Sequence, residues 1–260
     1  MKTLTNFHKI TFFMFALATS GLFIYGCKKS GGVDKRIANA TSHICNQVTG
    51  VEAIYWDLMN GVPRTDIPGG LPTLSSIGGT YSNPSFPLLS FTYPPGYTPQ
   101  TDATSGAVGV NLIRNDHRSI WRYTSILYSG TVTPLQVLNN EVAQLKAFFG
   151  STGAVSTVCS QQGTLPRAPG ITTSSASAYI TFDGFSAAIN VTNTTETGLG
   201  AVQINIVTTA APTNEFSNEI LHTYLPLDYQ LLYTGSGEID SDGDGFPDSQ
   251  DDAPFDSTKH

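Results

Sequence analysis

Charge is scarce in this chain. Only 13% of its 260 residues are Asp, Glu, Lys or Arg, about half the share of an ordinary soluble protein. Cations are the scarcer sign, 13 Lys and Arg against 20 Asp and Glu, for a net charge of -7. Nucleic-acid binding needs Lys and Arg clustered against phosphates, and the six between Ile37 and Gly237 are scattered, which argues against such a partner. Cysteine is scarce too. Three in the whole chain exclude a disulfide-dense scaffold and a cysteine-rich zinc site. P-loop, dinucleotide-binding and zinc-protease patterns are absent. His43, His117 and His222 stand far apart in sequence, and Asp116-His117-Arg118 reads as a polar turn between strands. "GFSAA" at Gly184–Ala188 has the serine of a nucleophile elbow but Ala188 in place of the second glycine. No catalytic residue is assigned.

What is present begins at the N-terminus. "MKTLTNFHK" carries Lys2 and Lys9, and "ITFFMFALATSGLFIYG" then runs without a charge. A charged stretch followed by an apolar one is an export signal, too short and too interrupted for a comfortable membrane span. "FIYGCKKSGG" resembles a bacterial lipoprotein signal, with Ile24 and Gly26 ahead of Cys27. The resemblance implies removal of residues 1–26, acylation of Cys27 and a partner in the membrane reached through that lipid anchor. It places the chain in the cell envelope, on the periplasmic or surface face of an outer membrane. Residues 27–38, with Lys28, Lys29 and two glycines, read as a short tether. Two other readings stand beside this one: cleavage near Ala16–Ala18, or retention of the apolar stretch as an anchor.

Cys45 and Cys159 remain. In an oxidising compartment an even pair reads as a disulfide, with two separate buried thiols as the alternative. Between residues 39 and 236 the pattern is mainly β. Val51, Ile54, Tyr55, Leu58 and Met59 recur at helical spacing with Gly61 beyond. Eight of fifteen prolines fall between Val62 and Pro99, predicting a long connection with at most short strands. "GAVGVNLIRN" and "SIWRYTSILYSG" read as paired strands. "TPLQVLNNEVAQLKAFFG" is a helix with a Thr133-x-x-Gln136 capping box, Pro134 in its first turn and Gly150 at its end. Its apolar face is Leu135, Leu138, Val142, Leu145 and Phe149.

Ser160–Ser175 reads as a linker and a possible internal boundary. Four strands follow: "AYITF", "SAAINVTN", "GAVQINIVTT" and "EILHTYLPLDYQLLYTG". The expected architecture is therefore mainly β (α+β), with antiparallel, sandwich-like sheets and two helices. The order of "SFTYPPGY", paired strands and capped helix resembles small α+β modules of the photosystem-associated PsbP-like kind, which carries no binding residue over. Tyr55, Trp56, Tyr93, Tyr97, Trp121 and Tyr123 are candidates for stacking on a glycan or protein ligand, or for the core.

From residue 237 the composition changes. "DSDGDGFPDSQDD" gathers aspartates that repel one another, so something must hold them. Counted from Asp240, carboxylates at Asp240, Asp242, Asp244, Asp248 and Asp251 occupy positions 1, 3, 5, 9 and 12. Gly245 supplies the sharp turn at position 6 and the Phe246 carbonyl position 7. That spacing wraps hard oxygens around Ca²⁺. The glycines ahead of it and Pro254 after it rule out the flanking helices of an EF-hand. "DSDGDGFPDSQDDAP" resembles a thrombospondin type 3 repeat, which implies a Ca²⁺-stiffened connector or adhesion segment over residues 237–260. The alternative is a disordered acidic tail. The functional expectation is a membrane-anchored, exported lipoprotein in surface binding, adhesion or envelope structure; the alternative is a secreted or periplasmic hydrolase with an accessory Ca²⁺ segment.

Overall fold

The computed structural model describes residues 45, 47–59, 72–102, 106–198 and 200–233. Cys27, His43, the tether and the aspartate segment lie outside them.

The architecture is mainly β and antiparallel throughout. One seven-stranded sheet has the order β3-β4-β5-β9-β8-β7-β6. Its strands are β3 (Tyr97–Thr101), β4 (Ala107–Arg114), β5 (Ile120–Ser129), β6 (Ser156–Ala168), β7 (Ile171–Phe182), β8 (Phe185–Glu196) and β9 (Ala201–Pro212). A separate hairpin pairs β1 (Gly79–Asn83) with β2 (Phe86–Tyr93). Its turn is closed by Asn83, whose Oδ1 accepts from the backbone N–H groups of Ser85 and Phe86 at 2.9 and 3.1 Å, an Asx turn that suits the intervening proline. The β7–β8 turn is Asp183-Gly184, with φ of 44° and 80°, between paired Phe182 and Phe185. Two left-handed residues match the twist of a two-residue hairpin.

Helix α1 (Val51–Met59) and helix α2 (Pro134–Phe148) stand where their spacing predicts. Both halves of the Thr133/Gln136 capping box form. Leu138 and Leu145 are buried and Val142 and Phe149 pack beside them, while Leu135, in the first turn, stays 41% exposed. The sheet thus separates two cores. On one face α2 covers Ile180, Ile189, Val191 and Ile204. On the other α1, the hairpin and the C-terminal residues enclose Trp121, Phe91, Tyr55 and Tyr224, and Phe91 meets Trp121 edge-on at 5.4 Å.

Two expectations are corrected. Residues 160–175 are not a linker: they form β6 and β7, paired from Ser156↔Thr181 to Ala168↔Ile171. Ser and Thr suit a strand with a solvent-facing side as well as they suit a loop. The stretch read as a last strand is helical: α3 (Phe216–Glu219), a π-helical turn Ile220–Tyr224, and α4 (Leu225–Tyr233). Pro226 lies inside this helical run. It has no N–H to return to the carbonyl of residue 222, and the wide turn stands directly ahead of it, absorbing the lost bond without ending the helix.

Candidate functional site

The C-terminal helical run is bolted to the sheet by polar side chains in a region otherwise short of charge. Asp228 is buried, and its Oδ1 accepts from Trp121 Nε1 at 2.8 Å. Burial pushes its carboxyl from the ordinary value of 3.8 to about 7, partly opposed by hydrogen bonds from Trp121 and Tyr55. Gln230 behaves like a strand residue. Its Oε1 accepts from the Thr92 N–H at 2.8 Å and its Nε2 donates to the Thr92 carbonyl at 3.1 Å, so the carboxamide satisfies the backbone of β2 on its outer side.

Arg114, at the end of β4, is the hub of a second cluster. Its Nε donates to Asp116 at 2.9 Å, and its Nη1 to Glu215 at 2.7 Å and Glu219 at 2.6 Å. The hydrogen bond to Asp116 leads the causes that raise the guanidinium above its usual range, and the same bond holds the Asp116 carboxyl low. From Glu219 the chain turns inward. Tyr97 donates its hydroxyl to Glu219 and lies 3.1 Å from Ser119 Oγ. Ser119 meets the Tyr224 hydroxyl at 2.8 Å, and Tyr224 donates to the Ala210 carbonyl at 2.8 Å. Burial first, and Glu219 second, raise the Tyr97 phenol; burial also raises Tyr224. Each of these acids already has a donor, and the arrangement fixes the helical run in place.

Of the residues predicted from sequence, the structure brings Cys45 and Cys159 together. Cys45 lies ahead of α1 and Cys159 in β6; both are buried thiols. Cys45 Sγ donates to the Val158 carbonyl at 3.9 Å. Burial, then the hydrogen bond and charge of Cys45, push the Cys159 thiol up to about 12. Tyr55, Trp56 and Trp121 are core residues, 1%, 1% and 0% exposed, and present no stacking face; Tyr93, Tyr97 and Tyr123 are half-buried. Ser186, the elbow-like serine, is fully buried in β8 and donates to Thr213 at 3.0 Å. His117 sits with φ of 59° in the β4–β5 turn, as a polar turn requires. Among the described residues no group of three His, Cys, Asp or Glu is placed to hold a metal; the candidate Ca²⁺ ligands lie outside them.

Sequence reading missed Glu219, Asp228, Gln230 and Arg114. The signal available was a cluster of acids, Glu215, Glu219 and Asp228, in a run of large apolar residues, a combination that demands buried partners.

Fold and site together define a mainly β antiparallel domain with helices packed on both faces of its main sheet, its polar clusters serving as fasteners. No family model matches the chain, and no curated protein matches it. Among solved structures, the Ran-binding protein Mog1p of Saccharomyces cerevisiae is similar over 62% of this chain and 91% of its own, at 12% identity and a TM-score of 0.29. A likeness of that size carries no argument about function.

Proposed function

We propose that the chain is an exported lipoprotein, acylated at Cys27 and held in the cell envelope. Its β-rich domain is a rigid module between the membrane tether and a Ca²⁺-binding segment formed by Asp240, Asp242, Asp244, Phe246, Asp248 and Asp251. The module works in surface binding, adhesion or envelope structure, on a glycan or protein ligand. The observation that supports this reading is that the described residues nearest the two flanks share one core. Cys45, Val48 and α1, which follow the tether, share one core with Phe216, Ile220, Tyr224 and Tyr229, which precede the aspartates. At the exposed rim of that core Ser217 donates to Glu52. Load between tether and tail therefore passes through one packed layer and not along the full length of the sheet.

Detergent partitioning of the mature chain tests the anchor. Wild type is expected in the detergent phase and Cys27→Ser in the aqueous phase; equal retention of the two overturns the lipoprotein reading. Calorimetry with Ca²⁺ on the same preparations tests the tail, and absence of binding heat returns it to an acidic extension.

A further inference from the structure

A seven-stranded sheet has two edges, and this one treats them differently. β3 is five residues long and contains Pro99, a short, proline-bearing edge of the kind that resists further pairing. β6 is thirteen residues long. Cys45 covers it near Val158, but every residue from Ser160 to Pro166 is exposed. Along this stretch β6 pairs regularly with β7, its irregularities falling only at Thr157/Cys159 and Pro166/Ala168. Between Ser160 and Leu165 it carries no charge and no proline, and Leu165 is 51% exposed. The usual devices that blunt an edge strand, an inward lysine, a bulge or a covering element, are missing there among the described residues.

We infer that the outer edge of β6 is an interface for a second copy of this chain, which adds its own β6 antiparallel across a two-fold axis. Antiparallel pairing sets residues that present backbone groups outward opposite one another, so paired positions must differ by an even number. Centring on Gln162 satisfies that rule. It places Gln162 opposite Gln162, Gln161 opposite Gly163 and Ser160 opposite Thr164. Each pair is neutral, and the last brings two hydroxyls together, a favourable cross-strand combination. Arg167 falls outside the paired stretch, so no like charges meet. Both long edges are consumed in the dimer and, of the seven-stranded sheets, the short β3 edges remain. The assembly closes at two copies and does not grow into a fibre.

The test uses the full mature chain with Cys27→Ser, in sedimentation velocity over a concentration series. Wild type is expected to dimerise. Gln162→Lys puts two ammonium groups on the axis and is expected to abolish the dimer; position 162 is exposed, so the monomer still folds, read as an unchanged circular dichroism spectrum. Thr164→Lys removes the Ser160–Thr164 hydroxyl pair at both ends of the paired stretch and is expected to weaken the dimer less than Gln162→Lys. As a positional readout, Gln162→Cys is expected to cross-link to itself on mild oxidation, whereas Leu127→Cys, also exposed, is not. A wild-type chain that is monomeric at every concentration overturns the inference and leaves the edge to an extended segment of another protein. A Gln162→Lys variant as dimeric as wild type overturns it equally.

Discussion

Asp228→Asn is the sharpest perturbation available. The native carboxyl is buried against Trp121 and raised from 3.8 to about 7. A raised folded-state value means that the folded chain holds the proton more tightly than the unfolded chain. The contribution to stability is fully present below about pH 4 and is lost as pH rises through about 7. Three units at 1.36 kcal/mol each amount to about 4 kcal/mol across that window. Asparagine keeps an oxygen for Trp121 Nε1, carries no charge at any pH and resembles the protonated acid in shape. The variant is therefore expected to gain on wild type by about 1.4 kcal/mol per pH unit between pH 4 and 7 and to hold a constant lead above. Asp116 and Asp183, whose carboxyls are held low by partners, contribute equally to both proteins and cancel in the difference. Urea unfolding followed by tryptophan fluorescence at pH 5, 6, 7 and 8 measures it, since Trp56 and Trp121 are both buried. The gap is expected to widen by roughly 3 kcal/mol over that range. A gap that does not change with pH refutes the assignment of Asp228 as a buried, largely protonated acid.

Arg122→Ala is expected to cost about 3–5 kcal/mol in chemical denaturation, because Arg122 Nη1 pairs at 2.6 Å with Glu141, which is 2% exposed and would be left as a buried carboxylate; Glu141→Gln in the same background should recover much of the loss. If Cys45 and Cys159 oxidise in the envelope, non-reducing peptide mapping finds them joined, and the bridge adds roughly 4–5 kcal/mol over the reduced form; Cys159→Ser removes that increment and a reductant then has no effect. In the aspartate segment, Asp244→Asn keeps an oxygen and is expected to weaken Ca²⁺ binding moderately, while Asp244→Ala and Gly245→Val are worse; identical calorimetric isotherms for the three would refute the ligand assignment. Lowering the pH protonates the carboxylates and is expected to release the ion, read as loss of binding heat.

Local rules were written plainly at several positions. Thr133, Pro134, Gln136 and Gly150 specify both ends of α2 with no help from the rest of the chain, because capping bonds form within one turn. Asp183-Gly184 sets a tight turn for the same reason. The β-branched stretches of β4, β5, β8 and β9 alternate clearly enough to be read as strands. The apolar N-terminal stretch, Cys27 and the aspartate spacing are likewise short-range patterns, and the lipid and Ca²⁺ chemistry proposed for them rests on residue type and interval alone.

Other features have no local signature. Ser160–Ser175 carries the composition of a loop and becomes strand only because β7 and β8 lie alongside to accept its hydrogen bonds. Residues 216–233 satisfy either periodicity, and burial against α1 and the sheet selects the helix, with a π-helical turn ahead of Pro226. Cys45 meets Cys159, Asp228 meets Trp121 and Arg114 meets Glu219 across separations of about a hundred residues. A cap or a turn is decided by atoms a few bonds apart, so the sequence by itself determined those. The pairings that fasten Cys45 and the helical run of residues 216–233 to the sheet depend on which surfaces the chain buries together, and only the tertiary structure could decide them.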